Sequence, residues 1–370
     1  MNILIAADYA TPASGNFIAS CMELGRALKE NNDSMVFIFP ENENTLSPRS
    51  WVTWLKNEGF AVYLYNKMSG NDIKFLTTII KKHKIDIVNI HFGLFYRSAI
   101  RHSKELGARI LLHDHMDFAA GKNIILQKMR CIAQSLVYRK NKIAIVSVNP
   151  QKDNAYFFAK HWYIPNGLSF IRNTFKEETR EEIRTKLNIR ENEKVCIFLG
   201  WDIYRKGLDI AVKAVNEIRR KDKSVLLCIV GMGDPPAPER LRFIADMAGI
   251  DPNSSWIRYL PSREDMFAYH KAADVYLSAS RSEAFSYGIL EAISQNVPVA
   301  VSDIKGTSWC HQYSKAVTYQ TEDFRACANA IERALLLGRS DSNANIILNK
   351  YSIEKWIDRM IRAYNSILKY

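Results

Sequence analysis

No stretch of the sequence approaches the ~18–20 consecutive apolar residues of a membrane-spanning helix. The opening residues, Met1 to Ala10, carry neither a charged leader nor a long apolar stretch, so no secretory signal is expected. Any membrane role must then be peripheral. The six cysteines, Cys21, Cys131, Cys196, Cys228, Cys310 and Cys327, form no CxxC pair. No histidine cluster stands beside them at zinc spacing. Cys196 and Cys228 lie in apolar runs and read as small buried residues, consistent with a reducing cytosol. Internal repeats of short period and low-complexity segments are also missing. Apolar residues make up 47% and charged residues 24%, which excludes disorder, collagen and coiled coil as the dominant state.

What is present is length and positive charge. The 370 residues favour two domains with full hydrophobic cores. Lys and Arg total 51 against 39 Asp and Glu, a net charge of +12. That excess fits a basic enzyme, and also a partner that is nucleic acid, an anionic membrane or a polyphosphorylated substrate.

Short apolar runs alternate with helical patterns along the whole chain. Strands are expected at Asn2–Ala6, Met35–Phe39, Ala61–Tyr65, Asp86–Ile90, Arg109–Leu112 and Ile143–Val148. A second series is expected at Val195–Leu199, Val225–Val230, Trp256–Leu260, Asp274–Ser278 and Val297–Val301. Between strands the spacing is amphipathic, as at Leu208, Ala211, Val215 and Ile218. The alternation predicts an α/β protein with parallel, doubly wound sheets. Eleven strands suit two sheets. The break falls near Pro165, Asn166 and Gly167, a turn signal. We therefore expect one Rossmann-like domain over 1–167 and a second over 168–350. A terminal amphipathic helix within 351–370 would pack on the first. In open sheets of this kind ligands bind beyond the carboxyl ends of the strands, and two facing sheets would leave a cleft.

The chemistry-bearing residues do follow strands. Glu283 lies in the loop after Asp274–Ser278, and Glu291 about one turn into the next helix, seven residues between them. Carboxylates accept hydrogen bonds from sugar hydroxyls. The amides of Phe285, Ser286 and Tyr287 would point from a helix N-terminus at an anion. The plain alternative makes Glu291 a helix-face charge and Glu283 a dipole partner. Arg205 and Lys206 sit between a strand and the helix beginning near Gly207, where cations and amides together suit a diphosphate. A solvated surface pair is the alternative. Gly231 and Gly233 follow a buried strand and lead to Asp234. Gly15 follows the first strand and would permit close backbone approach to a phosphate or sugar, or serve an ordinary turn. His113 and His115 flank Asp114 at another strand end, with His91 a further strand-end histidine of low weight. Two histidines invite a metal, but the sequence implies no third ligand.

These segments, in order, resemble the retaining GT-B glycosyltransferases of family 4, the group 1 glycosyl transferases of bacterial surface-polysaccharide type. Glu283 and Glu291 match the family's Glu-x7-Glu signature. Residues 198–209 resemble its strand–Gly–Arg–Lys–Gly segment, 229–234 its ValGlyxGly turn, 164–167 its hinge entry and 112–118 its His-bearing loop. The match is colinear over most of the chain. It departs where the family's Arg is replaced by Trp201, so Arg205 is the substitute, and where Ser14–Gly15 stands for two glycines.

The resemblance implies transfer of a hexose or N-acetylhexosamine from a nucleoside diphosphate sugar, UDP-linked, to a hydroxyl of a saccharide or lipid-linked saccharide, with retention. It gives Glu283 and His113 or His115 to the transferred sugar. Gly15, Arg205, Lys206, Gly231, Gly233, the 285–287 amides and Glu291 go to the donor. No cofactor and no metal are implied, and no convincing DxD appears. Another nucleotide-sugar enzyme of the same fold, such as an epimerase or phosphorylase, is the near alternative. A dinucleotide oxidoreductase lacks its GxGxxG after the first strand. A nucleic-acid binder lacks a basic–aromatic motif, so no nucleic acid is expected. The expected location is cytoplasmic, at the inner face of the membrane.

The charge is uneven. Residues 1–165 hold 21 Lys and Arg against 13 Asp and Glu. Within 122–142, Ile125, Met129, Ile132 and Leu136 share one helical face, with Lys128, Arg130, Arg139, Lys140 and Lys142 mostly off it. A second helix sets Phe75, Leu76, Ile79 and Ile80 beside Lys74, Lys81, Lys82 and Lys84. Core packing with a solvated basic face is the favoured reading of both, and an anionic lipid surface the sharper one.

Overall fold

A computed structural model describes residues 1–41, 49–117, 123–152, 154–173, 177–233, 235–340 and 342–370, without the Ser69 side chain. Phe118, Lys122 and Asp234, which fall in the sequence patterns above, lie outside the described residues. The chain divides into two compact units, 1–169 with 351–370, and 170–350.

The first unit is built on β1 (Asn2–Ala7), β2 (Ser34–Pro40), β3 (Ala61–Tyr65), β4 (Ile87–His91), β5 (Arg109–Asp114), β6 (Ile143–Ser147) and β7 (Lys160–Tyr163). They form one sheet in the order β3-β2-β1-β4-β5-β6-β7. Every pairing is parallel, with Ile3 opposite Met35 on one side and Ile87 on the other. A strand covered on both faces must be apolar on both faces, and Ile3 to Ala7 are all buried. The helices are α1 (Gly15–Glu30), α2 (Ser50–Asn57), α3 (Asp72–His83), α4 (Tyr96–Arg101) and α5 (Ile124–Lys140).

The second unit has α6 (Arg180–Lys186), β8 (Lys194–Leu199), α7 (Leu208–Ile218), β9 (Val225–Val230), α8 (Pro238–Ala248), β10 (Ile257–Leu260) and α9 (Phe267–Ala272). It continues through β11 (Val275–Ser278), α10 (Tyr287–Ser294), β12 (Val299–Ser302), β13 (Ala316–Tyr319), α11 (Phe324–Leu337) and α12 (Ala344–Lys350). Its sheet is also parallel, in the order β10-β9-β8-β11-β12-β13. Leu208, Ala211, Val212 and Val215 of α7 pack into its core with Ile331 of α11.

The last helix, α13 (Ile353–Leu368), returns to the first unit. Its buried stripe is Trp356, Met360, Tyr364 and Ile367. Asn89 of β4 donates to the Tyr364 hydroxyl at 2.9 Å, and Leu168 N–H donates to the Tyr351 carbonyl at 2.9 Å. Gly167 is explained by this return. A Cβ there would stand 2.5 Å from Trp356 Cβ.

Both strand orders reverse direction once, between β1 and β4 and between β8 and β11. Such switch points leave crevices at the carboxyl ends of the strands. The sequence-derived site residues lie at the carboxyl ends of strands at or beside these two places, save Glu291, which is inside α10.

Candidate functional site

In the second unit the two loops at the switch point are fastened together. The loop after β8 carries Arg205 and Lys206. The loop after β11 carries Glu283. Lys206 Nζ forms an ion pair with Glu283, both side chains largely buried, and Arg205 Nη1 lies 3.8 Å from the same carboxylate. Arg205 is held by Asp202 at 2.9 Å and by the Ser282 carbonyl at 3.1 Å. It is therefore a positioned cation, although its side chain stays 33% exposed. Gly207 turns the chain into α7 with φ of +73°, and a Cβ there would stand 2.0 Å from the Ala279 carbonyl oxygen.

Three residues that the sequence reading passed over hold this arrangement. Arg281 clamps Asp209 of α7 through two bonds of 2.9 and 2.8 Å, and donates to the Tyr204 carbonyl. Those carboxylate bonds hold its guanidinium above its ordinary pKa. Trp309 stacks on Phe285 at 4.5 Å between ring centroids. Gly306 lies directly under the Glu283 backbone, where a Cβ would meet the carbonyl oxygen at 1.6 Å. Arg281 stands two residues before Glu283 in the sequence. The other two are distant in sequence and carry no local signal.

Ser286 caps α10, its hydroxyl accepting from Ile289 N–H, and Tyr287 is the first helical residue. Glu291 sits on the buried side of α10, 5% exposed, with its carboxylate 3.4 Å from His270 Nε2 of α9. It is not a solvated helix-face charge. Gly231 and Gly233 both have positive φ, and Gly231 lies against Trp201 N of the neighbouring strand loop.

In the first unit Gly15 opens α1 with φ of +55°, beside the Tyr9 hydroxyl. His113 and His115 come together at the end of β5, and His91 at the end of β4 joins them. His91 carried little weight in the sequence, which implied no third ligand; parallel pairing of β4 and β5 places His91 opposite His113. The rings of His113 and His115 stack at 4.6 Å and 6°, those of His91 and His113 at 4.4 Å. His91 Nδ1 and His115 Nε2 share a hydrogen bond of 2.9 Å. Neither ring nitrogen of buried His113 has a hydrogen-bond partner among the described residues.

Burial, with mutual repulsion of the rings, pushes His91 and His113 well below the ordinary imidazole pKa. Burial brings His115 down to about 4, with Asp114 opposing the shift. The cluster is thus neutral at physiological pH. Ligand nitrogens of the three lie within 4.8 Å of one another. Yet an imidazole binds a metal in its own plane at about 2.0–2.1 Å, and the His113 and His115 rings, stacked at 6°, do not converge on one such point.

The two sheets define the GT-B class, two Rossmann-like units with parallel doubly wound sheets. Anabaena HepE, in its complex with UDP and glucose, superposes with a TM-score of 0.74 at 14% identity, over 99% of this chain and 100% of that one. The model of the family described as glycosyl transferases group 1 matches residues 179–367, more than half of the chain. The chain belongs to that family. It is 24% identical over 245 residues to the lipopolysaccharide glucosyltransferase WaaG of Escherichia coli, covering 65% of this chain and 58% of WaaG. It is 30% identical over 139 residues to the alpha-monoglucosyldiacylglycerol synthase of Streptococcus pneumoniae, covering 37% and 31%. These matches span less than two thirds of either relative's length. Among the described residues no helix is long and apolar enough to cross a membrane.

Proposed function

We propose that this glycosyltransferase moves a hexose or N-acetylhexosamine from a UDP-linked donor to a hydroxyl of a saccharide or lipid-linked saccharide, with retention. The observation that carries this reading is the Arg205–Lys206–Glu283 cluster at the switch point of the second sheet. Two cations and the amides opening α10 provide positive potential for a diphosphate. A diphosphate arriving there takes Lys206 as its counter-ion. The Glu283 carboxylate is then left to accept hydrogen bonds from the sugar hydroxyls. Gly231 and Gly233 let the backbone approach the nucleotide, Gly15 is assigned to the donor, and Glu291 is assigned to the ribose. The likeness to a protein bound to UDP and glucose, and to a named glucosyltransferase, supports this choice of donor.

In the reaction the bond from the anomeric carbon to the β-phosphate oxygen breaks, and its electron pair stays on phosphate. Lys206, Arg205 and the α10 amides stabilise that charge. The acceptor oxygen bonds the anomeric carbon from the same face, and its proton passes to the leaving phosphate oxygen. His113 or His115, neutral, hydrogen-bonds the transferred sugar. Side chains neutralise the diphosphate, so no metal ion is required and a chelator is expected to leave turnover unchanged. A lipid-linked acceptor would place this work at the cytoplasmic face of the membrane.

Lys206→Ala is expected to lower turnover by about 10²–10³-fold while the protein stays folded. Near-normal donor affinity and turnover in that variant would overturn the assignment. An NMR spectrum of the product showing the inverted anomer would overturn retention.

A further inference from the structure

The two basic amphipathic helices of the first unit part company in the structure. In α3 the stripe of Leu76, Ile79 and Ile80 is buried in the core. In α5 the reading of core packing fails. The face turned inward is Cys131, Ser135 and Tyr138. The stripe of Ile125, Met129, Ile132 and Leu136 faces solvent, Ile125 64% and Leu136 51% exposed. Leu126 and Val137 widen it. Phe157 is exposed in the turn fastened to this helix, where Phe158 N–H donates to Ser135 Oγ at 3.2 Å.

Charge frames the stripe. At 3.6 residues per turn, Lys128 and Arg139 lie along one edge and Arg130 along the other, with Lys140 at the end. The helix contains no acidic residue. A contiguous exposed apolar patch rimmed by one sign of charge marks an interaction site.

We infer that the outward face of α5 docks on an anionic lipid bilayer, its apolar stripe entering the acyl boundary and its basic edges lying among the headgroups. A flat anionic leaflet neutralises both edges at once and accepts the apolar stripe between them. A second copy of the chain would bring like charges together along both edges, which opposes pairing. The inference rests on the lipid-linked acceptor of the proposed reaction for its purpose, and its test needs no donor.

The test is flotation of the full-length protein with phosphatidylcholine vesicles, with and without phosphatidylglycerol. Binding is expected only to the anionic vesicles and to weaken with salt. Ile132→Asp with Leu136→Asp, both on an exposed face, is expected to lose binding at least tenfold with thermal midpoint and UDP affinity unchanged. Lys128→Gln with Arg139→Gln is expected to weaken it about 25-fold, at roughly fivefold per basic residue near the surface. Flotation of either double variant like the unsubstituted protein would overturn the inference. So would failure of the unsubstituted protein to bind anionic vesicles, or a lipid-free dimer that the Asp variant makes monomeric. Failure of the transferase reading would appear separately, as absent UDP binding with vesicle binding intact.

Discussion

At the scale of single residues, the molecule separates groups that hold the candidate site from groups proposed to meet the donor. Arg281 is of the first kind. Its pair with Asp209 is nearly buried on both sides, and removing one partner of a buried pair leaves the other uncompensated. Arg281→Ala is expected to cost about 3 kcal/mol in urea unfolding. A midpoint indistinguishable from the unsubstituted protein would show that the clamp contributes nothing.

The histidine cluster makes a pH prediction. An unfolded imidazole titrates near 6.5, while His115 in the fold is pushed down to about 4 and His91 and His113 well below their ordinary value. Between these values the unfolded chain binds protons that the folded chain excludes. The stabilisation is therefore complete above about pH 6.5 and lost as pH falls towards 4. Thermal midpoints measured across that window should fall, and fall less steeply in His113→Gln. An equal slope in the variant would assign the acid lability elsewhere.

At the scale of elements, legibility followed burial. Strands covered on both faces, such as Val225–Val230, read directly as apolar runs. The two strands the sequence did not disclose, β7 and β13, are sheet edges. Lys160 to Tyr163 are half-buried throughout, and Ala316 to Tyr319 are only partly covered, so neither shows an apolar run. Spacing disclosed the α5 stripe but not the direction it faces, because Cys131, Ser135 and Tyr138 repeat with the same helical period and weaker hydrophobicity. Arg205, Lys206 and Glu283 of the candidate site were legible because each follows a strand, and Glu291 through its spacing from Glu283. Gly306 and Trp309 were not, because contact with Glu283 and Phe285 arises only from packing of separate segments. That contact is testable. Gly306→Ala must displace the Glu283 backbone, so affinity for the intact UDP-sugar donor is expected to drop tenfold or more. Normal affinity would show that this loop position does not govern the donor.

At the scale of the whole molecule, each unit has its own sheet and its own core, yet the chain completes the first unit only after finishing the second. The last contribution to the first core is α13, through Trp356, Met360, Tyr364 and Ile367. A large-to-small change there acts on one core alone. Trp356→Ala is expected to cost about 3–5 kcal/mol and to lower only the calorimetric transition of the first unit. UDP, bound by the second unit under the proposed reading, should raise only the other transition, by mass action. The two perturbations thus assign the transitions independently. If Trp356→Ala and UDP moved the same transition, either α13 would belong to the core of the second unit or the nucleotide would bind the first. The Lys206→Ala variant separates these, since it removes the UDP shift only if the nucleotide site is the one built from Arg205, Lys206 and Glu283.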